Sequence, residues 1–206
     1  MEDVLSVYTR VRDPNRPLVC LDEAAKQLVS ATRLPIPMMP GRAVRHDYEY
    51  KRAGTANLFM AFAPLEGLRH IKVTSHRAKA DYAHFLADLS DQYFADAEKI
   101  VLVQDNLNTH SHASLYATFP PAQARRLAER FEWHFTPKHG SWLNMAEAEL
   151  SVLSRQCLGE RVPSKQILTA KVDAWQKNRN KQRKIANWQF TNENARTKLV
   201  KLYPSI

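Results

Sequence analysis

Acidic residues occur at three points where the sequence pattern predicts that a strand ends or a helix begins. Asp22 lies at the end of RPLVCLDE, Asp105 at the end of KIVLVQD, and Glu147 and Glu149 in WLNMAEAEL. Clustered carboxylates repel each other unless a cation joins them, and their hard oxygen atoms favour Mg²⁺ or Mn²⁺. Two such ions about 3.5–4 Å apart stabilise both oxygens of an in-line phosphoryl displacement. Together the three points indicate metal-dependent phosphoryl transfer, although a single acid at a strand end is more often a turn residue.

The elements that must position these acids alternate between strands and helices. Strand patterns cover 16–23, 55–67, 69–75, 99–105 and 131–135. Helical patterns cover 76–94, 120–131, 142–158 and 164–178. This order predicts an α/β fold with helices on the faces of a sheet. If the first and fourth strands are neighbours, Asp22 and Asp105 meet at the strand ends, where ligand sites of α/β sheets gather.

The helical pattern of 142–158 does not by itself choose between its two glutamates. Its apolar face is formed by Leu143, Ala146, Leu150 and Leu153. Glu147 and Glu149 flank that face on opposite sides, so either carboxylate could point toward the predicted site. Glu23, directly after Asp22, leaves the same ambiguity at the first acidic point.

The composition excludes several classes of protein. The chain has 206 residues, 44% of them hydrophobic, which is enough for one globular domain with its own core. It has no apolar segment that could span a bilayer, and Cys20 and Cys157 show no metal-binding or disulfide spacing. The glycines form no phosphate loop for a nucleotide cofactor. We therefore expect a cytoplasmic protein with no membrane partner.

The positive charge of the chain is concentrated near its C-terminus. Residues 1–159 hold 19 basic and 18 acidic residues, whereas residues 160–206 hold 11 basic and 3 acidic residues. The second segment therefore carries +8 of the total charge of +9. Such a segment suits a polyanion, most simply DNA, and a solvated basic helix is the alternative interpretation.

Longer motifs surround each acidic point, and together they resemble one known family. The motifs are VCLDEAAKQL, HDYEYKRAGTANLF, VLVQDNLNTH, TPKHGSWLNMAEAELSVLSRQCL and WQFTNENARTKLVKLYP. They resemble the catalytic domain of bacterial transposases of the insertion sequence 630 family, relatives of the mariner elements, over essentially the whole chain. The resemblance implies a ribonuclease-H-like fold with a mixed five-stranded sheet flanked by helices. It also implies an Asp-Asp-Glu metal triad on Asp22, Asp105 and Glu147, and so selects Glu147 over Glu149.

The function that the resemblance implies is DNA transposition without a covalent protein intermediate. The expected cofactors are two Mg²⁺ or Mn²⁺ ions, with which water hydrolyses a phosphodiester at the end of the element. The freed 3′-hydroxyl then attacks target DNA, at TA steps in the family. The expected partners are the terminal inverted repeats of the element, the target DNA and a second copy of the chain in the DNA complex. When bound to DNA, the protein would associate with the bacterial nucleoid.

Further candidates for the site follow from the same motifs. Asn106 and His110 follow Asp105 as they do in the family, although local turn hydrogen bonds explain such residues equally well. The candidates for DNA binding are Lys138, His139 and Asn144, before the glutamate helix, and Lys177, Arg179, Lys181, Arg183 and Lys184 in the basic segment. Trp142 is predicted to be a core or staple residue.

The domain organisation is predicted as a catalytic domain over residues 1–160 and a basic helical extension, residues 161–206, that packs on it. Full-length members of the resembled family carry N-terminal helix-turn-helix domains. This chain begins 21 residues before Asp22, so it is expected to be the catalytic part alone. Two alternatives stay open: another ribonuclease-H-like nuclease, or a truncated, non-mobile remnant that binds DNA without cleaving it.

Overall fold

The computed structural model describes residues 1–33, 36–45, 47–138 and 140–203. Its strands are β1 (Leu18–Ala31), β2 (Tyr50–Ala63), β3 (Leu68–Thr74), β4 (Ile100–Gln104) and β5 (Phe131–Phe135). Its α-helices are α1 (Glu2–Tyr8), α2 (Lys79–Asp88), α3 (His112–Thr118), α4 (Pro121–Arg130), α5 (Met145–Cys157), α6 (Lys165–Lys181) and α7 (Asn192–Lys198). A π-helical turn, Leu89–Tyr93, continues α2, and 3₁₀ turns cover Ser141–Leu143 and Val200–Leu202.

The strands form one mixed sheet in the order β3-β2-β1-β4-β5. β1, β2 and β3 are paired antiparallel in sequence order, as in a meander. On the other side of β1, the strands β4 and β5 run parallel to it. The α/β prediction, with a mixed five-stranded sheet, is therefore confirmed.

Helices cover both faces of the sheet, and residues of β1 alternate between the two faces, as strand geometry requires. Val19 and Leu21 lie in a core cluster with α2, α3 and α4. Leu18 and Cys20 lie in a second cluster, with α1, α5 and α7. Continued along β1, the alternation directs Asp22 toward the α5 face and Glu23 toward the α2 face.

The outer edge of the sheet is covered by side chains of α6. The side-chain oxygen of Gln176 accepts from the Ile71 amide at 2.7 Å. Asn180 accepts from the Arg69 amide at 2.8 Å and donates to its carbonyl oxygen at 2.8 Å. These bonds satisfy backbone groups of β3 that would otherwise be free to pair with another chain. Ser164 caps the start of α6, because its side chain accepts from the Ile167 amide at 3.3 Å.

The first strand is much longer than predicted. The apolar run stops near residue 23, but β1 continues to Ala31 because it remains paired with β2. Its pairing with β4 stops earlier, at Cys20 and Val103. Asp22 is therefore not at the end of a strand. It lies just beyond the end of the parallel pairing, where only β2 still accompanies β1.

Three helices, α1, α3 and α7, are missing from the sequence-based prediction. Each has 7 residues, about two turns, which is too short for an apolar periodicity to stand out. Among the helices of the described residues, none combines the length and the apolar character needed to cross a membrane.

Candidate active site at the ends of two parallel strands

Asp22 and Asp105 lie next to the end of the parallel pair formed by β1 and β4. The pairing ends at Cys20 and Val103, and Asp105 follows directly after β4. Neighbouring parallel strands open into a crevice at their carboxyl ends, where α/β sheets bind ligands. The expectation that the first and fourth strands are neighbours is confirmed.

The N-terminus of α5 is tied to β1 by one buried side chain. Nδ2 of Asn144 donates to the carbonyl oxygen of Leu21 at 2.8 Å, while its Oδ1 accepts from the Ala146 amide as the helix N-cap. The first turn of α5, with the exposed Glu147, is thereby held beside the strand that carries Asp22. Asn144 is 2% exposed, so both of these hydrogen bonds lie inside the protein, and its place beside DNA stays a prediction. It is a positioning residue for the helix.

Asp105 and Glu147 both act electrostatically on Asp22. The pKa of Asp22 is raised to about 6, first by burial and then by the negative charges of Asp105 and Glu147. The Glu23 amide, which donates to Oδ1 of Asp22 at 2.8 Å, and the charge of His110 act in the opposite direction. The two other acids are therefore within electrostatic reach of Asp22. A divalent cation among them would relieve this repulsion.

Glu149 belongs to a different cluster, although it is two residues from Glu147. Its Oε1 accepts hydrogen bonds from Nε of Arg69 and from Nη2 of Arg179, each at 2.9 Å. Glu149 and Arg69 are 6% and 1% exposed, so this is a buried ion cluster. The structure thus distinguishes the two glutamates, which the helical pattern could not do. Arg179, a predicted DNA contact, is paired with Glu149 in this cluster.

His110, one of the two secondary candidates, links Asp105 to Glu23. Its Nδ1 contacts Oδ1 of Asp105, and its Nε2 lies 2.7 Å from Oε1 of Glu23. Burial alone would lower the pKa of His110, but the hydrogen bonds to Asp105 and Glu23 raise it to about 9. At Asp105, burial acts to raise the pKa, and the contact with His110 outweighs it and lowers the pKa. Glu23 is missing from the predicted site residues, and its only signal in the sequence is its place beside Asp22.

A groove opens next to Asp105. It is lined by Asp105, Asn106, Leu107, Thr136, Pro137, Lys138, Gly140 and Ser141. Asn106 and Lys138 are exposed on its wall, and Lys138 adds positive charge beside the acids. His139, another predicted DNA contact, lies outside the described residues.

Trp142 lies outside the core, so of the two predicted roles, core or staple, the first is wrong. It is 44% exposed, and the 3₁₀ turn that contains it buries Leu143 instead. Its ring stacks on Trp188 with 6.3 Å between centroids and meets Phe190 edge-on at 5.8 Å. Three aromatic rings thus lie together close to the start of α5.

The sequence matches one described family over most of its length. Residues 17–169 match the protein family described as DDE superfamily endonuclease. The chain belongs to this family. Its members generally depend on divalent metal ions. A comparison with curated proteins finds no match.

Solved complexes of Mos1 share the fold of this DDE endonuclease domain. The Mos1 mariner paired-end complex with Mn aligns with a TM-score of 0.56 at 18% identity, over 86% of this chain and 52% of that chain. The Mos1 strand transfer complex aligns with a TM-score of 0.56 at 17% identity, over 84% of this chain and 50% of that chain. The chain therefore spans about half the length of these Mos1 chains. The likeness confirms the predicted ribonuclease-H-like fold.

The candidate acids of this DDE endonuclease domain have the ligand chemistry that a hard cation prefers, but their side chains are not arranged around a common metal position. Within the described part of the chain, no three His, Cys, Asp or Glu side chains are arranged to hold a metal ion. Asp22, Asp105 and Glu147 nevertheless offer only oxygen ligands, as Mg²⁺ and Mn²⁺ prefer. Asp105 contacts His110, and Glu147 is exposed.

Four of the five predicted DNA contacts in the basic segment are exposed. They are Lys177, Lys181, Arg183 and Lys184. Arg183 has a φ of 47°, a left-handed conformation that follows the C-terminus of α6 and turns the chain away from the helix axis. These four side chains remain candidates for contact with phosphates, whereas Arg179 is occupied by Glu149.

Proposed function

We propose that this chain is the catalytic domain of a DNA transposase of the insertion sequence 630 type, which uses Asp22, Asp105 and Glu147 to cleave DNA. The observation that carries the proposal is the position of two aspartates beside the end of one parallel strand pair, with Glu147 on the helix that Asn144 ties to β1. Membership of the DDE endonuclease family supports these roles.

The three acids would hold two Mg²⁺ or Mn²⁺ ions through carboxylate oxygens. Bound ions of this kind supply the positive charge that stabilises both oxygens of an in-line phosphoryl displacement. Other residues of the chain position the proposed ligands. Asn144 keeps the start of α5 against β1, and His110 holds one oxygen of Asp105. The exposed Lys138 would face the DNA backbone at the groove.

The substrate that we propose is duplex DNA, namely the terminal inverted repeats of an element and target DNA at TA steps, in a complex with a second copy of the chain. The exposed Lys177 and Lys181 in α6, and Arg183 and Lys184 directly after it, provide positive charge for contacts with phosphates. Mos1 transposase has been solved in a paired-end complex and in a strand transfer complex, which are assemblies of the proposed kind. Such a protein would act on nucleoid DNA in the bacterial cytoplasm.

The experiment that tests the proposal is nicking of supercoiled plasmid by the purified chain. We expect nicked product with Mg²⁺ or Mn²⁺ and none in excess EDTA. Asp22→Asn, Asp105→Asn and Glu147→Gln should each lower the rate by about a thousandfold or more, with an unchanged circular dichroism spectrum. Because ligands of one site act as a unit, double variants should be little worse than single ones.

Two results would contradict the proposal. Undiminished nicking in EDTA would exclude the metal mechanism, and full activity in all three variants would exclude the triad. Binding of DNA without any cleavage would instead identify the chain as a non-catalytic remnant.

A further inference from the structure

A buried histidine lies between two carboxylates next to the candidate metal site. The side chains of His110 and Glu23 are 1% and 6% exposed, and that of Asp105 is 38% exposed. Nε2 of His110 lies 2.7 Å from Glu23, and Nδ1 contacts Asp105. Glu23, His110 and Asp105 therefore form a continuous chain that starts inside the protein and ends at the groove.

The imidazole is fixed by both of its neighbours. Each ring nitrogen of His110 lies within hydrogen-bond reach of one carboxylate oxygen, so both edges of the imidazole are engaged. The ring can therefore neither rotate nor withdraw without breaking a hydrogen bond inside the protein.

Neighbouring residues also contact the face of the His110 ring and the backbone of His110. The Tyr82 ring stacks on His110 with 4.7 Å between centroids and 28° between the planes. The Tyr82 hydroxyl donates to Gln104 at 2.7 Å, and Gln104 in turn donates to the His110 carbonyl oxygen at 3.2 Å. Helix α2 and strand β4 thus fix the position of the histidine relative to the end of β4.

Glu23 lies on the opposite side of the sheet from its neighbour Asp22. Strand alternation directs Asp22 toward α5 and Glu23 toward α2, where it meets His110. One oxygen of Glu23, Oε2, is buried without a hydrogen-bond partner. A buried carboxylate oxygen without a partner costs stability, so packing alone does not account for a glutamate at this position.

We propose that Glu23 and His110 are positioning residues for Asp105. Glu23 orients the imidazole, and the imidazole holds Oδ1 of Asp105 so that Oδ2 is presented to a divalent cation; neither residue is itself a metal ligand. The inference rests on the proposed function, because it assigns Asp105 to the metal site. Side chains that orient metal ligands in this way typically change metal affinity by about 10–100-fold when they are removed.

The test is direct binding of Mn²⁺ to the purified full chain, followed by the electron paramagnetic resonance signal of free Mn²⁺, with nicking as a second readout. Glu23→Ala and His110→Ala should weaken Mn²⁺ binding by about 10–100-fold. Saturating Mn²⁺ should then restore most of the nicking rate. Asp105→Asn should not be restored at any Mn²⁺ concentration.

Two conservative variants separate positioning from a merely structural role. His110→Asn keeps an N–H group close to the position of Nδ1 and should retain most of the Mn²⁺ affinity. Glu23→Gln keeps the shape and removes the charge, so it should weaken binding in the same direction but less than Glu23→Ala. His76→Ala, an exposed histidine outside the site, is the control and should change nothing.

The outcomes distinguish this inference from the proposed function. If the chain binds Mn²⁺ but does not nick DNA, the proposed function fails and the binding series still tests the positioning role. Unchanged Mn²⁺ affinity in folded Glu23→Gln and in folded His110→Ala would overturn the inference. Loss of nicking in Glu23→Gln that saturating Mn²⁺ does not restore would also overturn it, since Glu23 would then act as a ligand. A chain that binds no Mn²⁺ at all would overturn both.

Discussion

Arg69 donates a hydrogen bond from Nε to the carboxylate of Glu149 at 2.9 Å, and both side chains are almost completely buried. The other guanidinium nitrogens of Arg69 donate to the carbonyl oxygens of Gly67 and Lys184, so the whole group is satisfied. A second arginine, Arg179, completes the cluster. This relationship assigns Glu149 to the stability of the fold and leaves Glu147 free for chemistry.

The first prediction compares these two glutamates. Glu149→Gln leaves Arg69 and Arg179 facing a neutral amide in a buried position, so it should lower the free energy of unfolding by about 3–5 kcal/mol. Glu147→Gln changes an exposed side chain and should stay within about 0.5 kcal/mol of the parent. Urea denaturation followed by circular dichroism measures both. Equal stability of the two variants would mean that the buried cluster has been misassigned.

The second prediction concerns the basic segment. If Lys177, Lys181, Arg183 and Lys184 each contact one phosphate, the slope of log affinity for duplex DNA against log salt should be about −4. Phosphate contacts carry little sequence information, so an inverted-repeat duplex and a scrambled one should bind alike. Fluorescence anisotropy at several salt concentrations measures the slope.

The control for this prediction is Arg179, which lies in the same segment but is engaged by Glu149. Neutralising the four exposed residues should flatten the slope, whereas Arg179→Gln should lower stability and leave the slope unchanged. A hundredfold preference of the chain for the repeat would show that the basic segment is not the main determinant of binding.

The third prediction is a pH dependence of stability at Glu132. Burial alone would raise the pKa of Glu132, but hydrogen bonds from Arg10, His134 and Arg16 together lower it from 4.5 to about 2. A folded-state pKa below the unfolded value stabilises the protein above pH 4.5, and this contribution is lost as the pH falls toward 2. Its side chain is 22% exposed, so after solvent screening we expect about 1–2 kcal/mol at pH 7.

The measurement is the free energy of unfolding of the parent and Glu132→Gln between pH 2 and pH 7. The two curves should lie apart at neutral pH and converge as the pH approaches 2. Glu129→Gln removes an exposed acid from the end of α4 and should follow the parent at every pH. A constant gap between the parent and Glu132→Gln would disprove the ionic origin of the effect.

The sequence predicts the central part of this fold because its elements there are long or strongly apolar. Residues 100–103 are all large aliphatic residues, and β4 is buried throughout. The sequence allows the first and fourth strands to be neighbours, and the structure places them side by side. The end of β1 is not predictable in the same way, since pairing with β2, and not the local pattern, carries the strand to Ala31.

The choice between Glu147 and Glu149 illustrates what a local pattern omits. The partner of Glu149 is Arg69, 80 residues away in the sequence, on β3. A helical wheel shows which residues share a face of the helix. It does not show which charged residue of another element packs against that face. The buried state of Asn144 has the same origin, because its partner, the Leu21 carbonyl oxygen, is 123 residues away.

The most direct test of the account is the location of bound metal. Crystals of the chain grown with Mn²⁺ and measured at the manganese absorption edge give an anomalous difference map that identifies the ion without reference to activity. The account predicts density between the carboxylates of Asp22, Asp105 and Glu147, with Glu23 and Glu149 outside contact distance. Density at Glu23 or Glu149, or an empty site in crystals that hold Mn²⁺ elsewhere on the chain, would contradict it.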